Sequence, residues 1–488
     1  MYKMKKLFIS IVGVLIFASC GNEWINKAEP HSGTVTPNVL YVNEQSINNA
    51  VVGSIGLLRD YYYDRHVTVG LRYYYLGFDF MGNDIISNPG QWWTYESWWR
   101  ESITAATGYQ TGYHWAMFYK IINDVNTKIA GIEGSSVSQD IKNKYIAELR
   151  AIRGLSYFCL AREYQFSYDN VADVNTTPCV PLYTEPTTAQ TKGNDRASVK
   201  AVYDQILSDL NFAVDNLTEV RTAKFRINKN VALGFRANVH LEMRNWAAAE
   251  TDARNARAGY PLMDKTTYQS TGFNSITTPE WIWGFPFQPD QAWGYASLFS
   301  HIDIFRPQAG YKNFFVNDTF VALFSATDMR NVFVTPSPQF SAAKTWARNG
   351  ARKFQDRQPN ADGDWVMMRA AEMYLIEAEA MAQQPTKAAQ GAALLYELQK
   401  QRDPNAVQSA NTGQALVDEI LVERRKELYG EIGTEYFDLK RYNRPMVRNG
   451  NHALTHTFTI AAGNNRWNFQ IPQAEFDRNP NIKVQNPR

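Results

Sequence analysis

The spacing of apolar residues predicts helices in two blocks of the chain, residues 115–263 and 364–431. In the first block, Phe118, Ile122 and Val125 recur at three- and four-residue intervals, which places them on one face of a helix. The same 3.6-residue period continues through each following segment. The predicted helices cover 115–132, 141–164, 198–217, two segments within 229–263, then 364–384, 386–403 and 415–431.

Consecutive helices are expected to pack as hairpins. Small residues such as Ala232, Gly234 and Ala237 stand where two helices must approach closely. The stretch "NWAAAETDARNA" is similar to the second helix of a tetratricopeptide hairpin. Because one hairpin cannot bury its own apolar face, stacked hairpins must share a core. The irregular spacing predicts a mainly α fold, in which tetratricopeptide-like hairpins form one large scaffold and not a regular array.

Two regions depart from the helical pattern, residues 60–113 and 264–360. The first is rich in Tyr, Gly and Trp, and the second is rich in Pro, Gly, Phe, Asn and Trp. Connections of this length are usually functional or disordered, and a high aromatic content argues against disorder. We therefore expect long aromatic-rich loops, with a few short strands, on one face of the helical body.

The densest aromatic stretch is "QWWTYESWW", residues 91–99. Helical spacing places Trp92, Tyr95 and Trp99 on one side, whereas strand alternation groups Trp93, Tyr95 and Trp99. Neither geometry hides all four tryptophans, including Trp98, on one face. We expect about two rings to pin the loop to the helical body and about two to face solvent, a partner or a ligand.

The N-terminus has the layout of a bacterial lipoprotein signal. Lys3, Lys5 and Lys6 form a positive segment, and Leu7–Phe17 is an uncharged apolar run of eleven residues. A membrane-spanning helix needs about 20 residues, so this run reads as a signal peptide. Cys20 stands where cleavage would fall, which predicts removal of residues 1–19 and lipidation of Cys20. An ordinary signal peptide with a chance cysteine is the alternative.

Composition and charge narrow the function classes. Hydrophobic residues at 44% and charged residues at 20% indicate a globular protein and exclude a disordered one. The formal net charge of +2 lacks the large positive excess that is typical of nucleic-acid-binding proteins. Aromatic residues reach 14%, and without a charge excess they favour a neutral ligand over a phosphate-bearing one.

Apart from Cys20, the chain has two cysteines, Cys159 and Cys179. Such low usage excludes a disulfide scaffold and a cysteine-type zinc site. A bridge between the two and a pair of buried thiols are both open at this stage.

Four motifs, in order, resemble segments of the SusD/RagB family of Bacteroidota outer-membrane lipoproteins, and the resemblance runs from Cys20 to Arg488. One departure stands out: Glu435 occupies a position where the family usually has arginine. The motifs are "ELRAIRGLSYFCLAREY" followed by "VPLYTEPT", "VMMRAAEMYLIEAEAMAQQ", "ILVERRKELYGEIGTEYFDLKRY" and "NFQIPQAEFDRNPNIKVQNPR".

The resemblance implies a function and a partner. Residues 20–488 would form a single SusD-like domain, anchored by lipid to the outer membrane and facing the cell exterior. The domain would capture an oligosaccharide or polysaccharide, or a peptide, without catalysis and without a cofactor. It would pass this nutrient to a TonB-dependent transporter of the SusC type. A surface glycoside hydrolase and a purely structural transporter-associated lipoprotein are the alternatives.

Sugar recognition needs flat apolar rings for the C–H face of the sugar and polar groups for its hydroxyls. The stretch 78–99 supplies both, and in the family the ligand loops fall in this region and again between the middle hairpins. The candidate ligand-binding residues are Asn83, Asp84, Asn88, Trp92, Trp93, Tyr95, Trp98, Trp99, Trp293, Tyr295 and Arg306.

Other polar motifs have a structural interpretation. "NADGDW", residues 360–365, fails the spacing of a calcium loop and predicts a turn, with Asp364 capping the following helix. The chain has no common catalytic signature such as H-E-x-x-H or G-x-S-x-G, and "HALTH" lacks an acid between its histidines, so no metal site is predicted. Helix-fixing roles are expected for the charged residues Glu423, Arg424, Glu427, Asp438 and Arg441.

Overall fold

The computed structural model describes residues 40–62, 65–93, 104–291, 293–306, 310–357 and 361–488, with Tyr295 as backbone alone. The protein is mainly helical, as predicted. Within the described ranges, no helix has both the length and the apolarity needed to cross a membrane. The helices are α1 Glu44–Leu57, α2 Gly70–Met81, α3 Tyr109–Glu133, α4 Gln139–Tyr164, α5 Val199–Asn216, α6 Lys229–Glu242, α7 Trp246–Ala256, α8 Lys265–Gln269, α9 Leu298–Ile302, α10 Asp318–Val321, α11 Ala370–Ala382, α12 Ala388–Arg402, α13 Gly413–Leu428, α14 Thr434–Arg441 and α15 Gln473–Arg478.

Helices that follow each other in sequence pack as neighbours: α3 on α4, α4 on α5, α6 on α7 and α11 on α12. The helix boundaries follow local chemistry. Ser198 begins α5 by accepting a hydrogen bond from the Ala201 N–H, which satisfies one of the free donors of the first turn. Small residues allow close approach, since a Cβ atom at Gly391 of α12 would lie 2.8 Å from the Ala378 carbonyl of α11. The predicted hairpins are confirmed.

The strands are short and belong to four small antiparallel sheets. One sheet has the order β1-β5-β7-β6, and the others are the pairs β2-β3, β4-β8 and β9-β10. The strands are β1 Ile85–Ile86, β2 Pro178–Pro181, β3 Arg196–Ser198, β4 Trp281–Phe285, β5 Phe315–Val316, β6 Phe333–Val334, β7 Asn349–Ala351, β8 Trp365–Arg369, β9 Met446–Arg448 and β10 Phe458–Ile460.

Helix α2 corrects the prediction that residues 60–113 are long loops. Every residue of "GLRYYYLGFDFM" is buried, so the segment has no polar face. A helix that is buried on all sides loses the alternation of apolar and polar residues by which a surface helix is recognised. Tyr73 and Tyr74 donate their hydroxyl protons to the carbonyls of Ala296 and Cys159, which removes the cost of burying them.

A second correction concerns the predicted helix 364–384. Its first turn is strand β8, and α11 begins at Ala370. Asp364 therefore does not cap a helix. Its carboxylate accepts hydrogen bonds from the backbone N–H groups of Ile276 and Phe287, both at 2.8 Å, and so joins β8 to the chain around β4.

Cys159 and Cys179 are two buried free thiols. Burial raises the pKa of the Cys159 thiol to about 11 and that of the Cys179 thiol to about 12. Both groups therefore stay protonated and unreactive near neutral pH.

A buried ion-pair cluster joins β4 and β8 to the ends of α12 and α13. Arg369 contacts Glu280 and Glu431, each at 2.8 Å, and Arg402 contacts Glu427 at 3.0 Å. All five side chains are at most 4% exposed. Neighbouring guanidinium groups hold the pKa of Glu427 well below its usual range, even though burial alone would raise it.

A second buried group links α11, α13 and α14. Arg424 contacts Asp438 at 2.8 Å, and Arg441 contacts Asp438 at 2.9 Å and also pairs with Glu379. Glu423, another of the predicted charged residues, belongs to the first cluster, where its carboxylate contacts Arg330 at 2.6 Å. The structural role predicted for the charged residues of α13 and α14 is confirmed.

Candidate functional site

A cleft of about 1000 Å³ opens between the first half of α3, the loop 183–193 and α15. Ligand sites in proteins usually have volumes between about 300 and 1,000 Å³. One row of α3 residues forms the floor of the cleft, with successive spacings of three and four residues. The row consists of Tyr109, Gly112, Ala116, Tyr119 and Asn123. Because Gly112 and Ala116 are small, the space above the helix stays open.

Aromatic side chains line this cleft. Trp115 and Tyr119 have ring centroids 4.8 Å apart, and the Tyr183 ring meets Tyr119 edge-on at 5.9 Å. The Tyr119 hydroxyl donates to the Pro181 carbonyl at 2.7 Å, which holds its ring in place. Tyr109, Tyr119 and Tyr183 are partly exposed, so their faces remain available to a flat ligand.

The loop 183–193 is held to α3 by side-chain amides. Asn123 Oδ1 accepts from the Thr187 backbone N–H at 2.7 Å and from the Thr187 hydroxyl at 2.9 Å. Asn126 Nδ2 donates to the carbonyls of Tyr183 and Glu185, at 3.0 and 3.1 Å. The wall of the cleft therefore has a defined geometry before any ligand arrives, which lowers the entropic cost of binding.

Three exposed cations line the cleft: Arg65, Lys192 and Arg478. The Arg65 guanidinium lies 4.9 Å from the centre of the Tyr109 ring. Within the described ranges, none of the three forms an ion pair with a carboxylate. We call this group the cationic edge.

Glu475 is the carboxylate that shares the cleft with the cationic edge. Its Oε2 accepts from Trp115 Nε1 at 3.2 Å, and its Oε1 accepts from Asn479 Nδ2 at 2.9 Å. Both oxygens are thus used to position α15 and the Trp115 ring.

Two further sets of rings involve Tyr61 and His66, which lie close in sequence to the cleft residues Arg65 and Thr68. The His66 ring lies 5.5 Å from Trp92 and 5.6 Å from Tyr311, and Tyr61 stacks on Trp293 at 5.2 Å with an interplanar angle of 26°. Trp293 is 38% exposed. We call these five residues the aromatic surface. The aromatic surface includes Trp92 and Trp293, two of the residues that the sequence predicted to bind the ligand.

Trp93 lies in the core and does not reach the aromatic surface. It is 1% exposed, and its Nε1 donates to His301 Nδ1 at 3.1 Å. Trp93 thus pins the loop to the helical body, as expected of about two of the rings, whereas Trp92 is partly exposed. Tyr95, Trp98 and Trp99, the Tyr295 side chain and Cys20 lie outside the described residues, so their roles stay predictions.

Two predicted polar contacts, Asn83 and Asp84, are buried and need correction. The Asn83 side-chain oxygen accepts from the Asn449 N–H at 2.9 Å, and Asp84 accepts from Arg425 Nε at 2.9 Å. These groups join the α2–β1 turn to the C-terminal part of the chain and present no polar tip to solvent. Sequence position beside the tryptophans was a poor guide, because the turn between α2 and β1 packs both side chains against the C-terminal part of the chain.

Arg306 is likewise buried and pairs with Asp356 at 2.9 Å, so it belongs to the core and not to the ligand face. Asn88 is partly buried and lies four residues before Trp92. Its assignment as a ligand contact stays a prediction.

Glu435, which stands where the family usually has arginine, has a structural role in this protein. Its Oε2 accepts from the backbone N–H groups of Asn83 and Asp84, at 2.6 and 2.9 Å. Burial, reinforced by the neighbouring Asp84 charge, raises the pKa of Glu435 to about 7. The carboxylate thus anchors the turn between α2 and β1.

Comparison with known proteins places the chain among SusD-like proteins. A SusD-like family model, described as "Starch-binding associating with outer membrane", matches residues 76–241. A second model, "SusD family", matches residues 325–488. The first match includes α3, α4, α5 and almost all of α6, and the second includes α11 to α15.

Individual relatives agree with these matches. A SusD-like protein of Bacteroides ovatus is 27% identical over 252 residues, which are 50% of this chain and 40% of the relative. The chain therefore spans less than half the length of that curated relative. A SusD-like carbohydrate binding protein from Bacteroides vulgatus has a TM-score of 0.81 at 26% identity, with 91% of this chain and 98% of that chain covered.

A further solved structure, a laminarin binding SusD-like protein, shares the fold at a TM-score of 0.67 and 18% identity, with 92% and 100% coverage. The family matches, the relatives and the shared helical architecture lead to one assignment. The chain belongs to the SusD/RagB family.

Proposed function

We propose that the protein captures an oligosaccharide at the cell surface and passes it to a TonB-dependent transporter of the SusC type. The observation that carries this proposal is the open, aromatic-lined cleft above α3, together with the rings of the aromatic surface. Sugar rings present apolar C–H faces, and partly exposed aromatic rings held in fixed positions match those faces.

The comparisons support a glycan as the nutrient. The matched family model carries the description "Starch-binding associating with outer membrane", and the solved structure with the TM-score of 0.67 is named as a laminarin binding protein. The polar atoms around the cleft favour the same class, because hydroxyl and amide groups next to rings meet both needs of a sugar.

We propose capture without hydrolysis. The usual glycosidase mechanism needs two carboxylates, one to protonate the leaving group and one to act as a base or nucleophile. In the cleft, Glu475 accepts hydrogen bonds at both oxygens from Trp115 and Asn479, which suits a positioning role. Release of reducing sugar by the purified protein would instead favour the hydrolase alternative.

The proposed location is the outer membrane, reached through a lipid on Cys20. Two or more acyl chains anchor a protein stably. In cells, Cys20→Ala should abolish labelling of the protein by a palmitate analogue and release it from the membrane fraction. Persistent labelling of this variant would contradict the assignment of Cys20.

The capture proposal is tested by calorimetry with a panel of glycans and peptides, on the protein alone and in a complex with a candidate SusC-type transporter. We expect micromolar or tighter binding of at least one glycan. Failure of the whole panel in both settings would contradict capture and favour the purely structural alternative. Co-purification of the transporter with the tagged protein tests the partner separately.

A further inference from the structure

We propose that the captured glycan is anionic, an oligosaccharide that bears carboxylates or sulfate esters, and that the cationic edge of the cleft selects it. This inference rests on the proposed function and specifies its substrate class. It departs from the expectation, drawn from the whole-chain charge, that the ligand is neutral.

The charge inside the cleft differs from that of the chain. Arg65, Lys192 and Arg478 line it, against the single carboxylate Glu475 among the described lining residues. The formal net charge of the whole chain is +2. The cleft therefore concentrates positive charge that whole-chain composition conceals, and a concave, partly apolar wall strengthens its field.

The three cations are available for a ligand. They are exposed, and among the described residues they have no carboxylate partner, whereas Arg369, Arg402 and Arg424 in the core are paired. Arg65 is also held in place by its position 4.9 Å from the Tyr109 ring centre. A planar guanidinium fixed in this way presents two parallel donors, the geometry that binds carboxylate or sulfate oxygens bidentately.

The surroundings favour a sugar over an acidic peptide. Tyr109, Tyr119 and Tyr183 offer partly exposed ring faces close to the cations, which suits alternating apolar faces and acidic groups along a glycan. An extended peptide is usually bound through an unpaired strand edge, which supplies backbone hydrogen bonds. The cleft walls are the helices α3 and α15 and a loop whose amide contacts are made with α3.

The test compares matched ligands by calorimetry. An oligogalacturonide supplies carboxylates, its fully methyl-esterified form supplies the same sugars without charge, and a κ-carrageenan oligosaccharide supplies sulfate without carboxylate. Hexaglutamate represents an acidic peptide. We expect at least one anionic glycan to bind at least about tenfold more tightly than the neutral ester, and to weaken several-fold between ~0.05 and ~0.5 M salt.

Variants locate the effect in the cleft. Arg65→Gln, Lys192→Gln and Arg478→Gln should each weaken binding of the anionic glycan by about two- to fivefold, the range of an exposed charge pair. The triple variant should lose most of the preference over the neutral ester. Lys265→Gln is the matched control, because Lys265 is exposed and does not line the cleft; it should bind as the parent protein does.

The outcomes separate this inference from the proposed function. If neutral glycans bind as tightly as anionic ones, or the three variants bind like the Lys265→Gln control, anion selection is overturned while glycan capture stands. If hexaglutamate binds and no glycan does, both are overturned and the nutrient is a peptide. If no ligand in the wider panel binds, the proposed function itself fails.

Discussion

Two pairs of arginines in this protein differ in burial and in whether they contact carboxylates. Arg369 and Arg402 are buried beneath the helices, and each contacts carboxylates at about hydrogen-bond distance, 2.6 to 3.1 Å. Arg65 and Arg478 line the open cleft and, within the described part of the chain, have no carboxylate partner. Burial of a charge costs several kcal/mol unless it is paired, so the core arginines must have partners, whereas exposed ones need none.

The comparison separates the charged residues that hold the fold together from those that are open to a ligand. Family motifs such as "VERRKEL" are rich in charge, yet Glu423 and Glu427 lie in the buried cluster and hold helices together. The cations that line the cleft are Arg65 and Lys192, in loops outside the four motifs, and Arg478, in α15 within the last motif. Burial and pairing, and not membership of a motif, therefore separate the charges that hold helices together from those that are open to a ligand.

The largest expected effect comes from breaking the buried cluster. Glu427→Ala removes the carboxylate that Arg330, Arg369 and Arg402 all contact. We expect the free energy of unfolding to fall by about 3 to 5 kcal/mol, measured by chemical denaturation. Glu397→Ala, an exposed change on α12, is the control. Equal stability of the two variants would refute the structural role of the cluster.

An intermediate effect concerns Glu372, a buried carboxylate with no ion-pair partner among the described residues. Its Oε1 accepts from Asn238 Nδ2 at 2.8 Å, and burial raises its pKa from the ordinary 4.5 to about 7. The folded protein holds this proton more tightly than the unfolded chain, so this group's contribution to stability is lost as pH rises from about 4.5 to about 7.

Glu372→Gln keeps the acceptor and removes the titration. Relative to the parent, the variant should gain about 2 to 3 kcal/mol in unfolding free energy between pH 4.5 and pH 8, since one pKa unit corresponds to about 1.4 kcal/mol. Denaturation at several pH values measures this difference, with Glu397→Gln as control. A difference that does not change with pH would show that Glu372 has an ordinary pKa.

A smaller effect is expected at the aromatic surface. Trp293→Ala removes a ring that is 38% exposed and stacks on Tyr61. Glycan affinity should fall about tenfold, or ~1.4 kcal/mol, with little change in melting temperature. Phe340→Ala, at an aromatic residue of similar exposure (41%), should leave affinity unchanged. A large loss of stability with Trp293→Ala would mean that this ring belongs to the core.

The smallest effect is the stability change from Arg478→Gln. An exposed cation that has no carboxylate partner among the described residues contributes little to folding, so the unfolding free energy should stay within about 0.5 kcal/mol of the parent value. Urea denaturation measures it alongside Glu427→Ala. A loss above ~1 kcal/mol would mean that Arg478 has a structural partner, and the contrast between the two sets of arginines would disappear.

Much of the fold could be predicted because the helical hairpins carry one polar and one apolar face. The helices predicted at 198–217 and within 229–263 correspond to α5, α6 and α7. Helix α2 could not be predicted because all its residues are buried, which leaves no alternation of apolar and polar positions. Strand β8 could not be distinguished from the helix that follows it, because a short apolar run has no decisive period.

The site was harder to predict because tertiary packing assembles it. Arg65, the loop 183–193 and α15 are far apart in sequence and meet only around α3. One signal was available: Tyr109, Gly112, Ala116, Tyr119 and Asn123 form a helical row of rings and small residues. By contrast, closeness to the tryptophans placed Asn83 and Asp84 at the ligand face, although both are buried and bonded within the core.

The most direct test of the account is a crystal structure of the protein with the anionic oligosaccharide that calorimetry selects. The account predicts sugar density in the cleft above α3, with a ring face against Tyr109, Tyr119 or Tyr183 and an acidic group within hydrogen-bond distance of Arg65, Lys192 or Arg478. Density elsewhere, with the cleft empty, would contradict it.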